Sequence, residues 1–393
     1  MKFPLHPFAL FLAALAGSLA AAPVLPGVGD ALDAKIAERE IAGAVTMVFT
    51  ADRVLHRQAT GLADLASAKP MPEDALFWIA SMTKPVTGAA ILILQDEGRL
   101  SIDDLVEKHL PEFAVLRTPT GRPAKLTIKQ ILTHTSGLGE ASGPATQAAR
   151  NLADLVPAWL GAKMQFEPGA QWKYCQSGIN LAGRIVEVVS GKSFDTFTRE
   201  RIFGPLGMKD ATFFPTDAQR GRIATGYSRK KETGALEPAA PRADYGRTGG
   251  PPLGNGGLYC TADDYARFCQ MLLGNGTREG KRILSPQAVK VLSSVHTGDL
   301  PTGFFQTEAF GRHGAHYGWG IGTCVLKAPH AGAAEVLSPG TYGHGGAWGT
   351  QAWIDPVKGV AYLLMVQRAN FPNSDASDVR TAFQRAAAAA LRR

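Results

Sequence analysis

The chain has 393 residues, 45% hydrophobic and 19% charged, with 44 glycines and 25 prolines. This argues against disorder and, because the apolar runs between the turns are short, against a helical bundle. The formal net charge is +7, but the only basic cluster, Arg229, Lys230 and Lys231, has no interleaved aromatics, so it reads as a solvated loop and nucleic acid is not an expected partner.

The chain opens on "MKFPLHPFALFLAALAGSLAAAP", with a basic start at Lys2, an apolar stretch from Phe8 to Leu15, and small residues Ser18 and Ala20. This pattern predicts a signal peptide over residues 1–20, cleaved after Ala20, and hence a periplasmic or secreted protein. The stretch is short for a bilayer span and no cysteine follows it, so no stable membrane anchor is expected. Next, "GDALDAKIAEREI" reads as an amphipathic helix, and "AGAVTMVFTADRVLHRQATGLAD" as two strands joined by a tight turn near Ala51 and Asp52. From about residue 101 strand character fades. "DLVEKHL", "TIKQILTHTSGL", "ADLVPAWLGAK" and "GINLAGRIVEVVSGKSFDTFTRERIF" are helical segments separated by Pro and Gly. "TADDYARFCQMLL" reads as a helix capped at Thr261. From Tyr317 onward "YGWGIGTCVL", "GTQAWIDP" and "GVAYLLMVQR" read as strands, and a last helix is expected from Asp375 to Leu391. The expected fold class is α+β, with an antiparallel sheet built from both chain ends, flanked by helices. Its α/β domain takes residues 27–100 and 253–393, and an inserted, mostly helical domain takes 101–252.

Four cysteines, Cys175, Cys260, Cys269 and Cys324, are too few for a disulfide scaffold in a chain of this length. On one helix Cys260 and Cys269 would lie roughly 13 Å apart, too far to pair. No metal-ligand motif occurs, and His313 and His316 sit in a Gly-rich loop, so no metal or other cofactor is expected.

Chemistry enters at "ALFWIASMTKPVTGAAILILQDEGRL", where Ser81 and Lys84 stand three residues apart before a strongly apolar helix. Pro85 is tolerated only near a first turn, so both residues lie at the helix N-terminal end and their side chains point the same way. The positive end of the helix dipole suits a developing anion. The same spacing recurs at Ser228 and Lys231 without such a context, and a plain N-cap at Ser81 is the competing reading.

Further stretches decide between them. "FEPGAQWKYCQSGINLAG" places Tyr174 and Gln176 just before a helix, and in "GTYGHGGAWGTQAWIDP" the run His344, Gly345, Gly346 closes a strand edge. With "LTHTSGL", "PLGMKDATF" and "GNGGLYCTADDYARFCQMLL" in the same order, the chain resembles the serine β-lactamase and D,D-peptidase superfamily, most of all class C β-lactamases and family VIII carboxylesterases. The resemblance implies a nucleophile at Ser81, with Lys84 and Tyr174 as general base and proton relay, their order left open. A cation beside Tyr174 should lower its pKa from about 10. It also implies an oxyanion hole from the backbone N–H groups of Ser81 and Ala347, and substrate contacts from Gln176, His344, Gly345, Gly346 and Trp348. Trp348, like Trp319 and Tyr317, is either such a contact or sheet core.

Two departures bear on substrate. His344-Gly345-Gly346 stands where penicillin-recognising members carry Lys-Thr-Gly, removing the cation and hydroxyl that hold a substrate carboxylate. Restoring Lys and Thr at positions 344 and 345 is accordingly expected to favour β-lactam turnover. Gln176 stands where Asn is usual. Both changes suit a small, activated ester, so the expected activity is an exported serine hydrolase that forms an acyl-enzyme on Ser81. A β-lactamase or D,D-carboxypeptidase at the same site, and a non-catalytic binder of cell-wall fragments, are the alternatives. The expected partner is a small-molecule ester or β-lactam-like substrate. His134 and Ser136 in "THTSG" offer no Ser-His alternative, because no G-x-S-x-G elbow occurs, and Cys175 reads as a buried, inert thiol.

Overall fold

The computed structural model describes residues 23–240, 246–302 and 314–392. The export segment over 1–20 and His313 lie outside the described residues. Near the N-terminus β1 (Gly43–Phe49) and β2 (Val54–Asp64) form the expected hairpin. Thr50 N–H donates to the Arg53 carbonyl at 2.9 Å and the Thr50 hydroxyl donates to Asp52, which closes the turn. A short β3 (Lys69–Pro70) follows, and the C-terminal part supplies β4 (Tyr317–Trp319), β5 (Cys324–Leu326), β6 (Tyr342–Gly345), β7 (Gln351–Asp355) and β8 (Val360–Met365). They assemble in the order β4-β5-β6-β7-β8-β1-β2-β3, antiparallel throughout, with the two chain ends meeting where Val45 pairs with Met365 and Phe49 with Ala361. This is the α+β sheet expected from both ends of the chain.

The helices that cover it are α1 (Val28–Ala37), α2 (Thr83–Asp96), α3 (Gln176–Ser190), α4 (Ala262–Leu273) and α5 (Asp378–Leu391). Ala361, Leu363 and Met365 of β8 face a core shared with α2, α3 and α4; Val360, Tyr362 and Leu364 face a second core closed by α1 and α5. A strand buried on both faces needs an unbroken apolar run, which is why "GVAYLLM" shows no alternation. Helix α2 is buried from Thr83 to Leu94, so its apolar composition reflects packing on every side.

Three local expectations change. The long helix read over 178–203 is broken at Gly191, which takes a left-handed φ of 73° as the C-cap of α3; a second helix, Phe194–Thr198, then runs into a π turn over Arg199–Phe203. The last helix starts at Asp378 rather than Asp375, because Ser377 caps it by accepting a hydrogen bond from Arg380 N–H at 3.2 Å, and Ser374–Ala376 form a separate 3-10 turn. The His344 run ends β6, which lies between β5 and β7 inside the sheet rather than at its edge. The segment 101–252 also contributes a hairpin, Tyr227–Arg229 with Leu236–Pro238, beside its helices. Thr261 caps α4 as expected, accepting from Asp264 N–H at 3.2 Å, and all four cysteines are free and buried. Among the described residues no helix is long and apolar enough to cross a membrane.

Candidate active site

The turn that carries Ser81 is strained. Ala80, a buried non-glycine residue, takes φ of 46°, and Ala80–Met82 form a 3-10 turn before α2 begins at Thr83. Thr83 holds this turn: its hydroxyl donates to the Ala80 carbonyl at 2.7 Å and accepts from Leu258 N–H at 3.2 Å. The N-cap of α2 is Met82, without a side-chain cap, so Ser81 is not an ordinary capping serine. Its hydroxyl is instead held between two side chains: Lys84 Nζ donates to Ser81 Oγ at 3.0 Å, and Tyr174 Oη donates to the same atom at 3.0 Å. Spacing i, i+3 accounts for the first contact. The second comes from a segment 93 residues further on, fixed by the start of α3.

Lys84 is fully buried, with 0% exposure, and its ammonium also donates to the Asn255 carbonyl at 2.6 Å. Burial pushes its pKa well below the ordinary lysine range, while the carboxylates of Glu140 and Asp375 act against the shift. Its Nζ stands 4.7 Å from the centre of the Tyr174 ring. His134 also packs against this ring, with centroids 4.3 Å apart. His134 sits at φ of 61° and accepts the Cys175 N–H on Nδ1 at 3.1 Å, so it supports the tyrosine loop. Burial holds it well below the usual histidine pKa. Ser136 is buried and accepts from Leu138 N–H at 3.2 Å. Burial pushes the Cys175 thiol up to about 12, and the thiol donates to the Leu138 carbonyl at 3.3 Å. No thiolate is available there.

Gln176 is the first residue of α3, and its Oε1 accepts from Asn255 Nδ2 at 3.0 Å. Glu140 satisfies the exposed amides at this helix start, accepting from Ser177 N–H at 3.0 Å, from the Ser177 hydroxyl at 2.9 Å, and from Gln176 N–H. Asn255 is thereby tied to Lys84 and Gln176, and its own N–H donates to Asn180 at 3.0 Å. Asn255 and Glu140 escaped sequence reading, although "GNGGLYC" marked the former's neighbourhood.

A cavity of about 360 Å³ opens on Ser81, lined also by Tyr174, Gln176, His344, Gly345, Ala347 and the segment Phe371 to Asp375. Among the described residues neither Ser81 N–H nor Ala347 N–H has an acceptor, and Ala347 is exposed at the cavity wall. His344 is buried and donates Nδ1–H to the Gly345 carbonyl at 2.7 Å; burial lowers its pKa to about 3, so the ring is neutral at physiological pH. Among the described residues no lysine or arginine lines this cavity. Gly346 does not line it either: a Cβ there would stand 2.1 Å from Thr350 Oγ1 and 2.6 Å from the Ile79 carbonyl, so this glycine is required by packing beneath the strand end. Trp348 packs edge-on to Trp78 at 5.6 Å in a cluster with Leu76, Ala80 and Tyr259, and Trp319 and Tyr317 belong to the second core. None of the three lines the cavity. A threonine at position 345 is not the simple graft the sequence suggests, because its Cβ would fall 1.6 Å from Asp375 Oδ1 and 2.5 Å from Gln351 Nε2. Among the described residues no acidic, histidine and cysteine group is arranged to hold a metal.

A sheet drawn from both chain ends thus carries a serine, a buried lysine and a tyrosine that converge at the start of a central helix. The family model described as Beta-lactamase matches residues 28–387, and the chain belongs to that family. Among its relatives, Penicillin-binding protein 4 of Amycolatopsis lactamdurans is 32% identical over 82% of this chain and 79% of its own. Esterase EstB of Burkholderia gladioli is 28% identical over 90% of this chain and 92% of its own. The solved structure of EstCE1, described as a hydrolase with promiscuous acyltransferase activity, superposes with a TM-score of 0.77 at 24% identity, covering 91% of this chain and 97% of the other.

Proposed function

We propose that the protein cleaves carboxylic esters through an acyl-enzyme on Ser81. The observation that carries this reading is the placement of Lys84 Nζ and Tyr174 Oη, each 3.0 Å from Ser81 Oγ. In the first step Ser81 Oγ forms a bond to the ester carbonyl carbon while its proton passes to Lys84, which burial favours in the neutral form. The oxyanion is met by the unpartnered N–H groups of Ser81 and Ala347. As the tetrahedral intermediate collapses, the C–O bond to the alcohol breaks and the leaving oxygen takes a proton from the Lys84–Tyr174 pair. Water then attacks the acyl carbon, gives its proton to the same pair, and releases the carboxylic acid and the free serine.

Esters are favoured over β-lactams because the described residues that line the cavity offer no fixed cation, and His344 is neutral. The relative named an esterase, which spans nearly the whole chain, supports the same choice. The relative named a penicillin-binding protein keeps a second reading in view, with a β-lactam or D-Ala-D-Ala peptide at the same serine. A panel of short p-nitrophenyl esters, nitrocefin and a D-Ala-D-Ala peptide separates them. The short ester should show the highest kcat/KM, and Ser81→Ala should lower it by at least about a thousandfold. Nitrocefin turning over faster than every ester would establish the second reading instead. Export also belongs to the proposal, resting on residues 1–20; a mature chain beginning near Ala21 is its expected signature, and an intact Met1 in the periplasmic fraction of the native host would refute it.

A further inference from the structure

Asp375 forms part of the cavity wall. Its turn is held from both sides: Asn373 Oδ1 accepts from Asp375 N–H at 2.9 Å, and Arg380 Nη1 donates to the Asp375 carbonyl at 2.5 Å. The carboxylate lies over Gly345, whose missing Cβ would stand 1.6 Å from Oδ1. Gln351 Nε2 donates to this oxygen at 3.1 Å, and Gln351 is itself buried and fixed by the Ser374 carbonyl at 2.9 Å and by Trp353 Nε1–H at 2.8 Å. That is the only side-chain hydrogen bond the carboxylate makes among the described residues, so lone pairs remain toward the cavity.

The nearby cations do not neutralise it by contact. Arg380 reaches Asp375 through the backbone carbonyl, while its guanidinium lies over the Trp353 ring at 4.1 Å and its Nε donates to Gln384 at 3.2 Å. Burial raises the Asp375 pKa, and the Arg380 charge and the Gln351 hydrogen bond oppose the rise by favouring the ionised form. Position 344, where an anchoring lysine would stand, holds a buried neutral imidazole. Among the described residues no lysine or arginine lines the cavity as an anion's partner, and the site presents a fixed carboxylate to whatever enters.

We propose that Asp375 is a specificity-determining residue that selects neutral or cationic esters and rejects esters bearing a carboxylate near the scissile bond. An entering anion would lose water while facing a like charge in a confined site, a repulsive element that acts on one class of substrate only. The inference rests on the ester-hydrolase reading and names its substrate class.

The test uses the mature protein and p-nitrophenyl esters of equal acyl length ending in carboxamide, carboxylate or trimethylammonium. A second series carries the same three groups on the alcohol side. In at least one series the carboxylate ester should be slower in kcat/KM than the carboxamide by roughly tenfold or more, and Asp375→Asn should narrow that gap by a similar factor. Asp375→Glu should preserve the gap, which a purely structural role would not require. Equal rates for carboxylate and carboxamide esters in both wild-type series overturn the inference, and so does a gap that Asp375→Asn leaves unchanged. The wild-type comparison decides even if the asparagine variant fails to fold. A protein that hydrolyses none of these esters overturns the ester reading itself, whereas hydrolysis of the neutral ester without charge discrimination overturns this inference alone.

Discussion

In the mechanism proposed for Ser81, burial is what lets Lys84 serve as the base. Its ammonium is shut away from water, which lowers its pKa, and the carboxylate of Glu140 is among the charges that pull the other way. A base acts when deprotonated, so kcat/KM for a neutral ester should rise with pH through the Lys84 pKa. Replacing Glu140 by Gln removes a charge that favours the ammonium, and the acid limb should move to lower pH; a limb that stays in place or moves up would show that Glu140 does not act on Lys84. His344 offers a stability test. Its folded pKa of about 3 lies below the ordinary value of 6.5, so between those pH values the unfolded chain binds the extra proton and stability falls as pH falls. His344→Gln should reduce the slope of unfolding free energy against pH in that window by up to about 1.4 kcal/mol per pH unit. Denaturant melts from pH 6.5 to 4 measure it, and parallel curves for the two proteins would contradict a buried neutral imidazole.

At the level of elements, what the sequence revealed depended on whether the signal was local. Ser81 and Lys84 were legible because i, i+3 spacing and Pro85 place them together at one helix start, and Thr261 because capping is local. Asn255, Glu140 and Asp375 were not, since each acts through contacts across 30 residues or more: Asn255 with Lys84, Glu140 with Ser177 and Asp375 with Gly345. Trp348 stayed open between substrate contact and core in the sequence because an aromatic beside the His344 strand looks the same whether it faces the cavity or Trp78. Helix α2 shows a further constraint that composition hides. At Gly88 the chain beyond β4 approaches so closely that a Cβ would stand 2.2 Å from the Ile321 carbonyl. Backbone cannot give way as a side-chain end can, so Gly88→Ala should destabilise by about 1–3 kcal/mol, read as a lower Tm or a shifted denaturant midpoint. An unchanged midpoint would mean that α2 can slide, and with it the Ser81 turn.

Across the whole molecule, the sheet joins β1 to β8 and brings the His344 strand end from the C-terminal part beside the Ser81 turn from the N-terminal part, while the middle of the chain supplies Tyr174 and Asn255. The catalytic geometry therefore exists only when distant segments are assembled. Family membership establishes this architecture, and the chemistry assigned to it stands on one covalent event. Mixing the mature protein with a slowly deacylated p-nitrophenyl ester, quenching in acid and mapping peptides by mass spectrometry tests that event directly. One acyl group per chain is expected, on the peptide containing Ser81, and none in Ser81→Ala. Turnover with the adduct on Ser136 or Ser228, or an acyl group retained by Ser81→Ala, would contradict it.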